Sequence, residues 1–234
     1  MSTQRTGEIR QASLVIWCRH LKQQIAIIQE RSATERPERL YCLEIALGYL
    51  FLYLSFESTL DYFMENLLRY LHYSDVRYRP GPAYKEYKKS QRRYAWEKLK
   101  FIFEKFHLAT YGEPYDGLQE KIKSITKIRN RVVHLEEISW EIITSEDFTP
   151  IEELPKNDFT ASLTVGNFKK HHQSIGMFFA DLRVVLDGAL DHREIDIIDN
   201  GETKRRNLVD YIYSQSVSSF SIFGDTIVDG SERN

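Results

Sequence analysis

The sequence predicts an all-α protein: a bundle of about five main helices with one small irregular or β-containing insertion. Three observations predict it. Only 11 of the 234 residues are glycine and 6 are proline, below the usual shares of about 7% and 5%, which disfavours a turn-rich β fold. Apolar residues recur at helical spacing over most of the chain. The densest apolar stretch, residues 40–54, lies inside one long helical window, as the buried centre of a bundle does.

Residues 11–30 set Leu14, Ile16, Trp17, Leu21, Ile25 and Ile28 at mostly helical spacings, an amphipathic helix. A polar break over 31–36 leads to Pro37, well suited to a first helical turn. The next helix, about 38–73, is apolar nearly all round from 43 to 56, so that segment is expected to be the most buried in the chain. Arg79-Pro80-Gly81-Pro82 is a firm break. Ser90 suits the N-cap of a helix to about 109, with Tyr94, Leu99, Ile102, Phe103 and Phe106 inward, and the stretch 112–114 ends it. Asp116 is expected to cap a helix to about 137.

Residues 139–166 lose the helical period, carry Pro150 and Pro155, and alternate over 159–165. A short strand or extended arm is predicted there, with strand content confined to this insertion. Asn167 is expected to cap a last helix over 168–190, with Ile175, Phe178, Phe179, Leu182, Val185, Leu186 and Leu190 on or near one face. The predicted organisation is a helical domain at 10–192, with the insertion at about 139–166, and a C-terminal extension at 193–234. The Ser-rich part of that extension, 214–221, is expected to order by packing on a partner.

Composition narrows the function classes. A net charge of -2 gives no global attraction to nucleic acid, so an RNA contact has to come from a local basic patch. Cys18 and Cys42 have no metal-ligand company and read as free buried thiols in a reducing cytosol. The N-terminus is polar through Ser13, and residues 40–54 are too short for a bilayer span and carry Glu44. A cytoplasmic protein without membrane contact is expected. There is no acidic cluster for two magnesium ions and no His/Cys set for zinc beyond His171-His172, whose adjacent side chains diverge on a helix. No metal and no other cofactor is predicted.

The most informative segment is 128–134, IRNRVVH. On a helix Leu118, Ile122, Ile125, Ile128 and Val132 share one apolar arc, and Arg129 projects from the middle of it. An unpaired guanidinium is costly to bury there. Asn130 and His134 are i,i+4 neighbours at the arc's edge, and Arg131 points to solvent. A cation, an amide and an imidazole thus meet where a core helix ends. The plainer reading pairs Arg129 with a core carboxylate, for which Glu57 and Asp61, one turn apart on the buried helix, are the candidates. A histidine near a helix C-terminus is also favourable in itself.

At Arg129, Asn130 and His134 the chain resembles the HEPN superfamily of helical ribonucleases and nucleotide-binding modules, whose mark is Arg, a polar residue, a few residues and then His late in a helix. The resemblance runs over roughly residues 10–190 in helical order, and only residues 129–134 are specific. It implies a homodimer in which two Arg–His pairs form one composite cleft, acting on RNA as a bacterial toxin or anti-phage effector. An antitoxin or other defence-system partner is implied with it. Family toxins paired with a nucleotidyltransferase carry a modifiable tyrosine two residues after the histidine; here that position is Glu136, which argues against such a pairing.

The residues suit the implied chemistry. Cleavage of RNA by its own 2′-hydroxyl needs a proton carrier active near neutral pH, the natural task of His134. It also needs a fixed cation on the phosphorane oxygens, for which the planar fork of Arg129 is matched. Asn130 would orient the histidine or hold a phosphate oxygen. The alternative class is a non-catalytic module that uses the same cleft to bind a nucleotide or RNA, or serves as a scaffold.

A second feature is the basic run over 77–100, in which Lys85, Lys88, Lys89, Arg92 and Arg93 are the candidate RNA contacts. Tyr84, Tyr87, Tyr94 and Trp96 are interleaved with them. Cations for phosphates and aromatics for stacking hold single-stranded RNA without strict sequence demand. The plainer reading is a solvated helix face whose aromatics pack inward.

Overall fold

The structure, a computed structural model, describes residues 2–32, 38–71, 82–89, 94–105, 112–134 and 163–217. They form seven helices and one β-hairpin: α1 (Ser2–Ser32), α2 (Glu38–Tyr70), α3 (Pro82–Lys89), α4 (Ala95–Lys105), α5 (Glu113–His134), α6 (Val165–Ala189), β1 (Glu194–Asp199), β2 (Glu202–Asn207) and α7 (Leu208–Ser216). Helix accounts for more than half of the whole chain, and no central sheet is present among the described residues. None of the described helices is long and apolar enough to cross a membrane.

Helix α2 is the hub, packed against α1, α3, α4, α5, α6 and α7. Helix α1 lies along it with Leu14, Cys18, Leu21 and Ile28 buried, a seven-residue repeat that keeps one stripe facing its partner. Gly48 makes the closest approach possible: a Cβ there would sit 2.9 Å from Ile28 Cδ1 and 3.1 Å from Phe168 Cε2. Deeper in, Phe56 meets Phe178 and Phe179 of α6 at ring-centre distances of 5.5 and 5.9 Å. Cys18 is a free, buried thiol, and burial pushes its pKa up to about 11.

Residues 43–56 are not the most buried segment. Leu47 is 39% exposed and Leu50, Phe51 and Leu54 are half-buried, while Phe56, Leu60, Phe63, Met64, Leu67 and Leu68 are fully enclosed. The reason is coverage rather than composition. The second half of α2 is contacted by α3 at Glu65, by α4 at Asp61 and by α6 at Phe56. The first half keeps an apolar stripe facing outward.

Several boundaries shift for local reasons. Helix α3 was not predicted; Pro82 opens it as a first-turn proline, and Ala83 and Tyr87, one turn apart, are its buried face. Helix α4 then starts at Ala95, and the Glu97 side chain accepts from the Tyr94 backbone N–H at 3.1 Å, so Tyr94 is outside the helix and 62% exposed rather than inward. The expected cap Ser90 lies outside the described residues, as does Phe106. Helix α5 begins at Glu113, directly after Gly112 at φ +137°, so Pro114 belongs to its first turn and Asp116 lies within the helix instead of capping it. The cap of α6 is Thr164, whose hydroxyl accepts from the Asn167 N–H at 3.2 Å; Asn167 is the third residue of the helix, not its cap.

The largest correction is at the C-terminal side. Strand is not confined to 139–166, of which only 163–166 are described and these show no strand; the described strands are β1 and β2, joined by Asn200 and Gly201 at φ +51° and +84°. That is an Asn-Gly hairpin turn, with Asp199 opposite Glu202. Ile195 and Ile197 face inward, and α7 buries Leu208, Val209 and Ile212 as part of the same core. Ser214 and Ser216 therefore belong to a helix docked on α2 and α6 of this chain, and the core continues without a break past 192. Residues 218–234 lie outside the described ones.

Candidate functional site

Helix α5 buries Leu118, Ile122 and Ile125 against the bundle, and Arg129 follows on the same arc one turn later. Its guanidinium carbon lies 4.7 Å from the ring centre of Tyr53 on α2. A cation over an aromatic face is attracted by the ring quadrupole, which lets a partly buried guanidinium rest without a carboxylate in contact. Among the described residues Arg129 makes no ion pair, and its buried Nε has no hydrogen-bond partner. That Nε is held in place with its donor unspent among the described residues.

Tyr53 is a member of the candidate site that the sequence does not reveal, because a tyrosine in an apolar run reads as core. Burial pushes its phenol well above the usual value, and the negative charge of the nearby Glu57 carboxylate pushes it further. Arg129 acts in the opposite direction. Glu57 is thus in the neighbourhood of Arg129 through the shared tyrosine. Asp61 is committed elsewhere: it takes the ammonium of Lys98, which is 4% exposed, and the Tyr87 hydroxyl donates to it at 3.3 Å.

Asn130 is exposed on the outer side of α5. His134 is the last residue of that helix, and its side chain lies outside the described ones. The structure therefore brings Arg129 together with Tyr53 and Glu57, and fixes His134 only by its backbone position five residues further on.

The basic run divides. Lys85 and Lys89 are exposed on α3. Lys88 is engaged by Glu65 and lies 5.6 Å from the ring centre of Tyr84. The Tyr84 hydroxyl donates to Glu65 at 2.7 Å and accepts from Arg69 Nη2 at 3.1 Å, so this group fastens α3 to α2. Tyr87 is in the core and Trp96 is half-buried, and Lys105 pairs with Glu86. Arg92 and Arg93 lie outside the described residues. For Lys88, Lys98, Tyr84 and Tyr87 the structural role is the observed one, and Lys85, Lys89 and Tyr94 retain a surface open to a ligand. Among the described residues no three His, Cys, Asp or Glu side chains are grouped as metal ligands would be.

The chain matches no family model, no curated protein and no solved structure.

Proposed function

We propose that the chain is a metal-independent endoribonuclease of HEPN type, a cytoplasmic prokaryotic toxin or anti-phage effector that acts as a homodimer. The observation that carries this reading is the state of Arg129: a guanidinium stacked on Tyr53, with a buried, unsatisfied Nε, in the helix that ends at His134. An arginine with only a structural task would be expected to spend its donors on a carboxylate, and the candidate Asp61 is instead taken by Lys98.

In the proposed reaction the substrate's 2′-hydroxyl attacks the adjacent phosphorus and the bond to the 5′-oxygen breaks. His134 takes the 2′-hydroxyl proton or delivers one to the leaving oxygen, and Arg129 stabilises charge on the phosphorane oxygens. The nucleophile belongs to the substrate, so proton transfer and one fixed cation are sufficient and no metal is needed. The products are a 2′,3′-cyclic phosphate and a 5′-hydroxyl.

The homodimer is supported by the outward stripe on α2. Leu47 and the half-buried Leu50, Phe51 and Leu54 share the helix with Tyr53, and Ile16 of α1 is 48% exposed beside Trp17, which stacks on Phe51. Apolar side chains grouped in this way mark an association surface. A second copy seated there would bring two Arg129–His134 pairs toward one cleft and double its positive charge.

The test is the chemistry of the ends. Expression of the wild type should arrest growth and His134→Ala should not, and RNA recovered after arrest should carry 2′,3′-cyclic or 3′-phosphates. Cleaved ends with 5′-phosphates and 3′-hydroxyls would overturn the mechanism.

A further inference from the structure

Helix α6, the end of β2 and helix α7 enclose an open cavity of about 430 Å³, lined by Arg183, Arg206, Asp210, Tyr211 and Tyr213 among others. From this pocket we infer a second binding site, for a phosphomonoester of nucleotide size. It is separate from the Arg129 site and does not depend on the reading given for that site.

The two cations are positioned differently, and both keep donors free of partners among the described residues. Arg183 gives its Nε to Asp210 Oδ1 at 2.6 Å and lies with its guanidinium carbon 5.2 Å from the Tyr213 ring centre. A carboxylate at one edge and a ring below fix the plane of the fork, while its terminal amino groups make no hydrogen bond among the described residues. Arg206 makes no ion pair among the described residues, although its neighbours do: Lys204 pairs with Asp199 at 2.9 Å and Arg205 with Glu194 at 2.6 Å. One arginine is preorganised and the other is uncommitted, and both line one cavity.

The second argument is the sign of everything else in the wall. Burial raises the pKa of Tyr211 and Tyr213, so both phenols stay protonated and can donate. Helix α7 starts at the cavity, capped by Asn207, so the positive end of its dipole lies at the cavity wall. Asp210 is the single carboxylate lining the cavity among the described residues, and Arg183 already answers it. Two guanidinium forks suit the oxygens of a phosphate, a space of this size exceeds phosphate alone, and two tyrosines offer ring faces to a flat substituent.

The test is binding of AMP to the full chain by calorimetry, with adenosine, inorganic phosphate and a 5′-phosphorylated oligoribonucleotide as further arms. AMP should bind saturably and adenosine at least about tenfold more weakly, the effect of losing one charge-assisted contact. Arg206→Glu should weaken AMP by about tenfold or more at unchanged melting temperature, and Arg206→Lys should retain part of the affinity. His134→Ala should bind AMP as the wild type does, which separates this site from the one on α5. If the oligoribonucleotide binds as tightly as AMP through Arg206, the phosphomonoester recognised is an RNA end; if AMP binds more tightly, it is a free nucleotide. Equal binding of AMP and adenosine, unchanged affinity in Arg206→Glu, or no saturable binding of either phosphorylated probe in the millimolar range would overturn the inference.

Discussion

Arg129 of α5 and Tyr53 of α2 face each other as cation and ring at 4.7 Å, and the Glu57 carboxylate acts on the same tyrosine. The tyrosine sets where the arginine can point. If that geometry serves catalysis, Tyr53→Phe keeps the ring and most of the activity. Tyr53→Leu lets the guanidinium swing and should lower turnover on the order of tenfold, with a smaller change in substrate affinity. Comparison of kcat and KM for the two variants checks this; equal loss in both would assign the effect to Glu57 and the hydroxyl.

The Lys98–Asp61 pair is structural, and its removal should be asymmetric. Lys98 is buried while Asp61 is partly exposed. Asp61→Asn leaves an ammonium in the core without its counter-charge and should cost about 3 kcal/mol. Lys98→Met removes the charge and keeps the volume, and should cost much less. Urea denaturation of the two variants and of the double variant measures the difference; a larger loss for Lys98→Met would contradict it.

The outward stripe on α2 predicts a dimer that one charge can break. Leu47→Glu or Ile16→Glu should convert the dimer to a monomer at micromolar concentration while the melting temperature of the isolated chain stays within a few degrees. Light scattering of the wild type and both variants decides. A wild type already monomeric would remove the composite cleft.

Stability should fall with acid in a defined window. His171 Nδ1 and the Tyr49 hydroxyl share a hydrogen bond at 2.8 Å, and burial, with help from Lys170, holds the His171 pKa below the usual 6.5. The folded state therefore favours the neutral ring. Its contribution is complete above the unfolded pKa near 6.5 and is lost as pH falls from there to the lower folded value, below which no more is lost. Melting temperature should start to drop as pH falls below about 6.5, and His171→Gln should flatten that part of the profile. An unchanged slope in the variant would assign the acid sensitivity elsewhere.

The bundle was legible because its helices follow a 3.6-residue apolar pattern that local sequence carries well. What escaped notice depended on neighbours. Residues 43–56 looked enclosed because nearly all of their side chains are apolar or aromatic, yet enclosure depends on how many helices surround α2 at that height. Lys98 read as part of a basic surface, although its ammonium reaches inward to Asp61, 37 residues away in sequence. The hairpin at 194–207 was readable, since Asn200-Gly201 is a strong two-residue turn signal. It was obscured because β2, ETKRRN, has no apolar alternation: it packs little and is held by its pairing to β1 and by ion pairs. At the candidate site Arg129 was found because a charge interrupts an apolar arc. Tyr53 was not, because nothing local distinguishes a pedestal from a core tyrosine.

Arg129 and His134 are proposed to cleave RNA without a metal. The most direct measurement is purified protein with a mixed RNA pool, with and without EDTA, beside His134→Ala and Arg129→Ala preparations of matched melting temperature. The account predicts cleavage by the wild type that persists in EDTA, and a loss on the order of 10² or more in each variant with RNA binding retained. Equal cleavage by all three proteins would assign the activity to a contaminant, and absence of cleavage by the wild type would contradict the account in favour of a non-catalytic binding module.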